Sequence, residues 1–307
     1  MTRARLLRLA RACFLVLTVA GAWWGFRGRW DEIGEALASA SPVHTLAAVA
    51  LTLCGLALTS VLWRHLLARL GAPVPQRDAA AIFFVGQLGK YIPGSVWTFA
   101  AQAQLGRRNR VPARSSVAAS SVFLLLHTFS GVLLGSTLAA AGVVGTDLPR
   151  WLWGLAALGS AALLAPPLVR RIGSRIAGPE ADAAFDVRDL LVGLGLMAAV
   201  WLAYGAAAQT LVGPAGSADG RDLVVTTAAF ALSHAAGVLL VVAPAGLGAR
   251  EAVLVALLGP VTGVATAAAV ALLARLVHTV ADFAAAGTSA LAARRRSPEP
   301  QAETAPC

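Results

Sequence analysis

Long apolar runs, separated by short polar stretches, set the pattern of this chain from residue 13 to residue 291. A helix that crosses a bilayer needs about 20 mostly apolar residues, because it rises 1.5 Å per residue through about 30 Å of hydrocarbon. Runs over 13–26, 43–67, 116–144, 151–169, 190–212 and 263–291 supply such segments. The gaps between them are too short for an independent soluble domain. The first run follows Arg3, Arg5, Arg8 and Arg11 and imitates a signal peptide. The Trp23-Trp24 pair after the small residues Ala20–Ala22 is an interfacial belt rather than a cleavage site, so the run reads as an uncleaved span. Residues 29–40 are amphipathic and predict an interfacial stretch.

Two further segments are interrupted. Residues 78–92 and 95–105 flank Pro93-Gly94, and residues 223–243 and 246–258 flank Pro244-Ala245-Gly246. Proline removes a backbone donor and glycine relaxes the dihedrals, so each pair of arms predicts a helical hairpin broken at Pro93, Gly94, Pro244 and Gly246. Broken helices at membrane depth survive only where protein or a water-filled cavity surrounds the freed backbone groups. The predicted fold is all-α: a polytopic membrane bundle of about six full spans plus two Pro/Gly-broken hairpins, with an upper count of eight spans. One transmembrane domain covers 1–293, and 294–307 is a polar tail predicted to be disordered.

Composition agrees with that class: 58% of residues are hydrophobic and 13% charged, against about 25% charged in soluble domains. The formal charge of +10 does not indicate nucleic acid, since the arginines sit in short loops without an aromatic platform. They read instead as an orientation signal. With the N-terminus in the cytoplasm and each hairpin returning to its own side, 18 of the 25 basic residues fall in cytoplasmic segments: Arg3–Arg11, Arg64–Arg77, Arg107–Arg114, Arg170–Arg188 and Arg294–Arg296. This layout predicts both termini in the cytoplasm of a multi-pass cell-membrane protein. The first hairpin enters from the cytoplasm and the second from outside, as in transporters built from inverted repeats. A faint echo accompanies it: Pro93 to His127 and Pro244 to His278 are equally spaced, and Thr follows each His.

Charges at membrane depth are the informative residues, because each costs about 2.5–3.5 kcal/mol at a helix centre on insertion scales. Lys90, Arg250 and Arg275 are candidates for binding a lipid phosphate; Glu251, His278 and Asp282 are candidates for balancing charge or carrying a proton. Arg275, His278 and Asp282 share one helical face by their spacing. The structural alternative is internal salt bridging, of Arg275 with Asp282 or with Glu251. His127 and His234 are weaker candidates, since a lone His in an apolar helix usually bonds a neighbouring carbonyl. Gly131-x-x-x-Gly135 and Gly21-x-x-x-Gly25 are close-packing signals.

Cys13 and Cys54 lie within apolar runs and Cys307 ends the chain, so no disulfide framework or zinc site is expected. Neither nucleotide-binding nor hydrolase motifs occur. No metal, no cofactor and no catalytic residue is predicted.

Gly89-Lys90-Tyr91-Ile92-Pro93-Gly94-Ser95-Val96-Trp97, then Pro244-Ala245-Gly246-Leu247-Gly248-Ala249-Arg250-Glu251, then Arg275 occur in that order. Together they resemble the lysylphosphatidylglycerol synthase transmembrane-region family, also called flippase-like, over roughly residues 10–290. Two departures stand out: Ser95-Val96-Trp97 replaces a second glycine-rich turn, and Ala245 replaces a common Gly. The resemblance implies the lipid-translocating part of the synthase without its soluble aminoacyl-transfer domain. The expected function is translocation of a phospholipid or a polyprenyl-phosphate-linked glycolipid. Its expected partners are the membrane lipid and a separate glycosyltransferase or lipid synthase, with no nucleic acid. The alternatives are an intramembrane head-group transferase or phosphatase, or a non-catalytic subunit.

Overall fold

The computed structural model describes residue 28 and residues 30–92, 96–178, 186–213, 220–240 and 244–294. Among them run eleven α-helices: α1 (Trp30–Ala38), α2 (Pro42–Arg69), α3 (Gln76–Gln87), α4 (Trp97–Gly106), α5 (Ala113–Ala140), α6 (Arg150–Leu163), α7 (Pro166–Ala177), α8 (Val187–Val212), α9 (Gly220–Leu239), α10 (Ala249–Thr262) and α11 (Val264–Arg294). The expected first span over 13–26, the Pro93-Gly94 break and the tail beyond Arg294 lie outside the described residues.

Helices α2, α5, α8 and α11, and Asp222–Leu239 within α9, are each long and apolar enough to cross a membrane. Helices of that length and apolarity mark an integral membrane protein. The bundle is built on antiparallel α2 and α8, with α9 between α5 and α8. Its core is large and aromatic, with Trp63, Trp201, Tyr204, Phe83 and Phe230 all buried. α1 exposes most of its surface, buries only Ile33, and rests against α11.

The fourth span differs from expectation. Instead of one straight helix over 151–169 followed by a loop, α6 and α7 meet at 49° and helix continues to Ala177. Pro166 explains the bend. A residue before proline is disfavoured in the α region, and Ala165 is extended, with ψ 134°. α7 turns Val169, Gly173 and Ala177 inward and keeps Arg170, Arg171 and Arg175 outward.

Contacts along the bundle show how the two hairpins are oriented. Arg69 at the end of α2 meets Asp189 at the start of α8 at 2.7 Å, and Gln76 at the base of α3 donates to Ser60 of α2 at 3.1 Å. The α3–α4 hairpin therefore opens at that end. α9 packs antiparallel to α8, with Thr227 beside Gly205 and His234 beside Trp201, so α9–α10 opens at the opposite end. The two 3-10 turns at the hairpin tips, Leu88–Tyr91 and Pro244–Gly246, touch each other inside the bundle. Each hairpin leads into a long helix, α5 or α11, and these helices run in opposite directions. This is the inverted arrangement that the Pro-to-His spacing hinted at.

Polar side chains pin the first hairpin. Trp63 Nε1 donates to Ser120 Oγ at 3.0 Å, and that hydroxyl donates to Gln102 Oε1 at 2.5 Å. Gln102 is 1% exposed, so α4 is tied to both α5 and α2 within the core. Gly131 and Gly135 on α5 receive Trp201 and Leu232 from α8 and α9, as the close-packing motif predicts.

Gly205 offers a direct test of the α8–α9 approach. A Cβ there would meet the Thr227 Cα at 2.6 Å, whereas one at Gly195 would meet nothing within 4 Å. Gly205→Ala is expected to lower stability by about 1–3 kcal/mol through overpacking. Gly195→Ala should match or exceed the parent, because Ala is the better helix former by about 1 kcal/mol. Thermal unfolding in detergent measures both, and equal melting temperatures would contradict the packing described.

Candidate functional site: an amphipathic cavity between the hairpin tips

The two tips enclose a cavity of about 390 Å³. Its apolar wall includes Leu56, Phe84, Ile92, Phe99, Leu124, Val238 and Leu240; its polar wall includes Lys90, Arg250, Arg275, His278 and Asp282. Ile92 and Leu124 are exposed on the outer surface, 51% and 39%, so the apolar wall continues to the lipid-facing side of the bundle.

The 3-10 turn after α3 presents Lys90 and Tyr91 to α11. Lys90 Nζ lies 2.6 Å from Asp282 Oδ2, and Tyr91 donates its hydroxyl to the same oxygen at 2.7 Å. The Tyr91 ring stacks on Phe283 with centroids 5.6 Å apart. Ile92, the residue before Pro93, is extended with ψ 129° and ends the turn, as a following proline requires.

The second tip is built on left-handed backbone. Ala245 has φ 49° and Gly246 φ 69°, and a Cβ on Gly246 would meet the Gly237 Cα at 2.5 Å. Glycine is needed at 246 for both conformation and space. Ala245 occupies the same left-handed region with a side chain, a conformation that disfavours any residue with a Cβ. α10 then begins under Glu251. One carboxylate oxygen accepts from the Gly248 N–H at 2.7 Å, and the other accepts from Arg275 Nη1 at 2.6 Å. The same side chain thus caps a helix and ties it to α11.

Of the predicted charges, the structure brings Lys90, Arg250, Arg275, His278 and Asp282 to one cavity wall, with Glu251 behind Arg275. The pairing is Arg275 with Glu251 and Lys90 with Asp282. Arg250 has no carboxylate within ion-pairing distance among the described residues. Its guanidinium carbon sits 4.7 Å from the Phe230 ring centre, a cation–π contact, and its buried Nη2 lacks a hydrogen-bond partner among the described residues. Pro93 and Gly94 fall outside the described residues; Pro244 and Gly246 form the second tip.

His127 and His234 differ from the lone, carbonyl-bonded histidines expected of apolar helices. They stack on each other with centroids 4.7 Å apart, within a cluster containing Phe123, Trp201, Tyr204 and Phe230. His127 Nε2 and His234 Nδ1 have no partner among the described residues. His278 does bond a carbonyl, Ala274 O, through Nδ1 at 2.9 Å, and its buried Nε2 has no partner among the described residues. A buried polar atom without a partner costs about 1–3 kcal/mol, so these four side chains are held in the core at a cost to stability. The three imidazoles do not converge into a metal-holding group. Sequence reasoning also missed Tyr91, although it sits inside the quoted motif beside Lys90. Tyr204 and Gln102 carried no signal, because their roles arise only from packing.

Residues 11–286 match the lysylphosphatidylglycerol synthase TM region, and the chain belongs to that family. Among curated proteins none matches it.

The ion pairs allow a prediction about what holds the tips. Asp282 is 5% exposed at its side chain and Lys90 35%. Asp282→Asn leaves Lys90 without its counter-charge and is expected to destabilise, with about 3–5 kcal/mol as the ceiling for a fully buried pair. Lys90→Met combined with Asp282→Asn should recover most of that loss. Thermal melts of the single and double variants measure the coupling, and additive losses would mean that the two side chains do not act as a pair.

Proposed function

We propose that this member of the family translocates a membrane lipid, its polar head moving through the cavity between the hairpin tips while its hydrocarbon tail stays in the bilayer. The observation that carries the reading is the amphipathic cavity itself. Its apolar wall leads to the lipid-facing surface, and its polar wall holds an arginine with no carboxylate partner. A phospholipid or a polyprenyl-phosphate-linked glycolipid presents those two chemistries in that order.

Arg250 is the primary phosphate contact, because its fork of donors is not already committed to a carboxylate. Arg275 and Lys90 lie on the same wall but each holds an acid, so they shape the field and release charge when a pair opens. Hairpins that open at opposite ends and meet at their tips support alternating access: each can move against α5 or α11 while the other stays closed. The lipid leaves as it arrived, with no bond made or broken. A separate glycosyltransferase or lipid synthase would supply it or use it.

In the bilayer, the end bearing Arg69, Arg77, Arg107, Arg108 and Arg114 faces the cytoplasm of the cell membrane, following the positive-inside bias. Both termini then lie in the cytoplasm. Cys307 reports on this: a membrane-impermeant maleimide should label it only after cells are opened, and labelling in intact spheroplasts would overturn the orientation. Cys54 is exposed on the surface of α2, twelve residues into the helix and away from either aqueous face, so it should stay silent.

Translocation is tested with purified protein in liposomes carrying a fluorescent phospholipid, read by reductant quenching from outside. Arg250→Gln should slow the protein-dependent rate by about tenfold or more, the loss expected when one charged hydrogen-bonding group of about 1.5–3 kcal/mol is removed. Arg250→Lys should recover part of it, since Lys keeps the charge but not the planar fork. Wild-type protein no faster than empty liposomes, over a panel of phospholipids and polyprenyl-phosphate lipids, would exclude the reading.

A further inference from the structure

Helix α7 carries charges that the cavity does not use. At about 100° of turn per residue, its sequence divides into distinct faces. Val169, Gly173 and Ala177 form the buried face. Leu168, Ile172 and Ile176 follow on one flank and are half-buried. Arg171 and Arg175 stand exposed, opposite the buried face and one turn apart. Among the described residues, no carboxylate lies within ion-pairing distance of either arginine. Like charges four residues apart on a helix repel, so an anion that bridges the two guanidinium groups is favoured.

Packing fixes the depth of this helix in the bilayer. A Cβ on Gly173 would meet Leu70, just after α2, at 3.3 Å and Val122 of α5 at 3.6 Å, and one on Gly178 would meet Arg114, near the start of α5, at 3.4 Å. α5 has 28 residues and rises about 42 Å, more than the roughly 30 Å of hydrocarbon. Its start therefore stands among head groups, while Val122, more than two turns in, lies within hydrocarbon. α7 runs alongside that boundary. α6 agrees, because its 14 residues rise only about 21 Å and α7 must complete the crossing. Arg171 and Arg175 thus emerge at the level of lipid phosphates, with an apolar flank beside them. An acidic soluble protein would meet the arginines and leave that flank unused. An anionic phospholipid satisfies both.

We propose that α7 is a binding site for an anionic phospholipid of the surrounding leaflet, separate from the cavity between the hairpin tips. The lipid phosphate bridges Arg171 and Arg175, and an acyl chain lies along Leu168, Ile172 and Ile176. The inward face of α7 offers only a valine, a glycine and an alanine to the bundle. Bound lipid therefore adds a second hold on this helix, and anionic lipid stabilises the folded protein.

The test uses the full-length protein in uncharged detergent, titrated with phosphatidylglycerol or phosphatidylcholine and read by thermal stabilisation. Phosphatidylglycerol should bind about tenfold tighter, the gain expected from two cations at a membrane surface, and added salt should weaken it. A phosphatidylglycerol with a photoactivatable acyl chain should label residues 166–177, which locates the site. Arg171→Gln combined with Arg175→Gln should remove that label. Arg107→Gln combined with Arg108→Gln takes the same charge from the 3-10 turn Arg107–Asn109 at the same end of the bundle, and should keep it. Equal binding of the two lipids by the unaltered protein, or no label on 166–177, would overturn the inference even if a variant fails to fold. Persistence of the label in the α7 double variant would overturn it too. Stabilisation by polyglutamate matching that by phosphatidylglycerol would point to an acidic protein partner instead and defeat it. Labelling of 166–177 without any transport in liposomes would uphold this site and defeat the translocation reading, and transport without the label would do the reverse.

Discussion

Charge kept inside an apolar bundle is the constraint on which the rest of this structure depends. Five charged side chains sit at or behind the meeting point of two hairpins; α11 carries two of them and pairs with two more. Its Asp282 takes Lys90 and Tyr91 from the first tip, and its Arg275 takes Glu251 from the second. Each contact does two jobs. It neutralises a charge that would be costly alone, and it ties a broken stretch of backbone to a continuous helix. Without that tie, a 3-10 turn at membrane depth would expose unpaired amides and carbonyls.

Such an arrangement resists gradual deformation. Each tip is held by a short, directional ion pair to α11, and packed interiors resist small continuous shifts. The fifth charge, Arg250, takes no part in this bracing and rests on an aromatic face instead. Bracing thus distinguishes two charges that are neighbours in sequence, Arg250 and Glu251.

The histidines show how far isolated residues mislead. His127 and His234 sit more than a hundred positions apart on different helices, each alone in an apolar run, and nothing local marks them. Packing of α5 against α9 places their rings face to face beside Trp201, and the aromatic cluster leaves no carbonyl for the nitrogens named above. The bend between α6 and α7 is a different case, since Pro166-Pro167 was visible. Hydropathy alone counts residues and ignores the direction in which proline sends the chain, so a straight span was expected where a bent pair stands.

Membrane class, helical fold, the approximate spans and the position of the second break were all legible in the residues themselves. Those features follow from local quantities: run length against bilayer thickness, and proline or glycine against helix continuity. The membrane-depth charges were legible too, because any charge in such a run is anomalous. Which acid each base meets was not, and Arg275 had two candidates of equal standing. That choice, the stacking of His127 on His234, the isolation of Arg250 and the meeting of the two tips depend on how helices from opposite ends of the bundle cross. Such crossings are set by side-chain packing among residues distant in sequence, so only the tertiary structure could decide them.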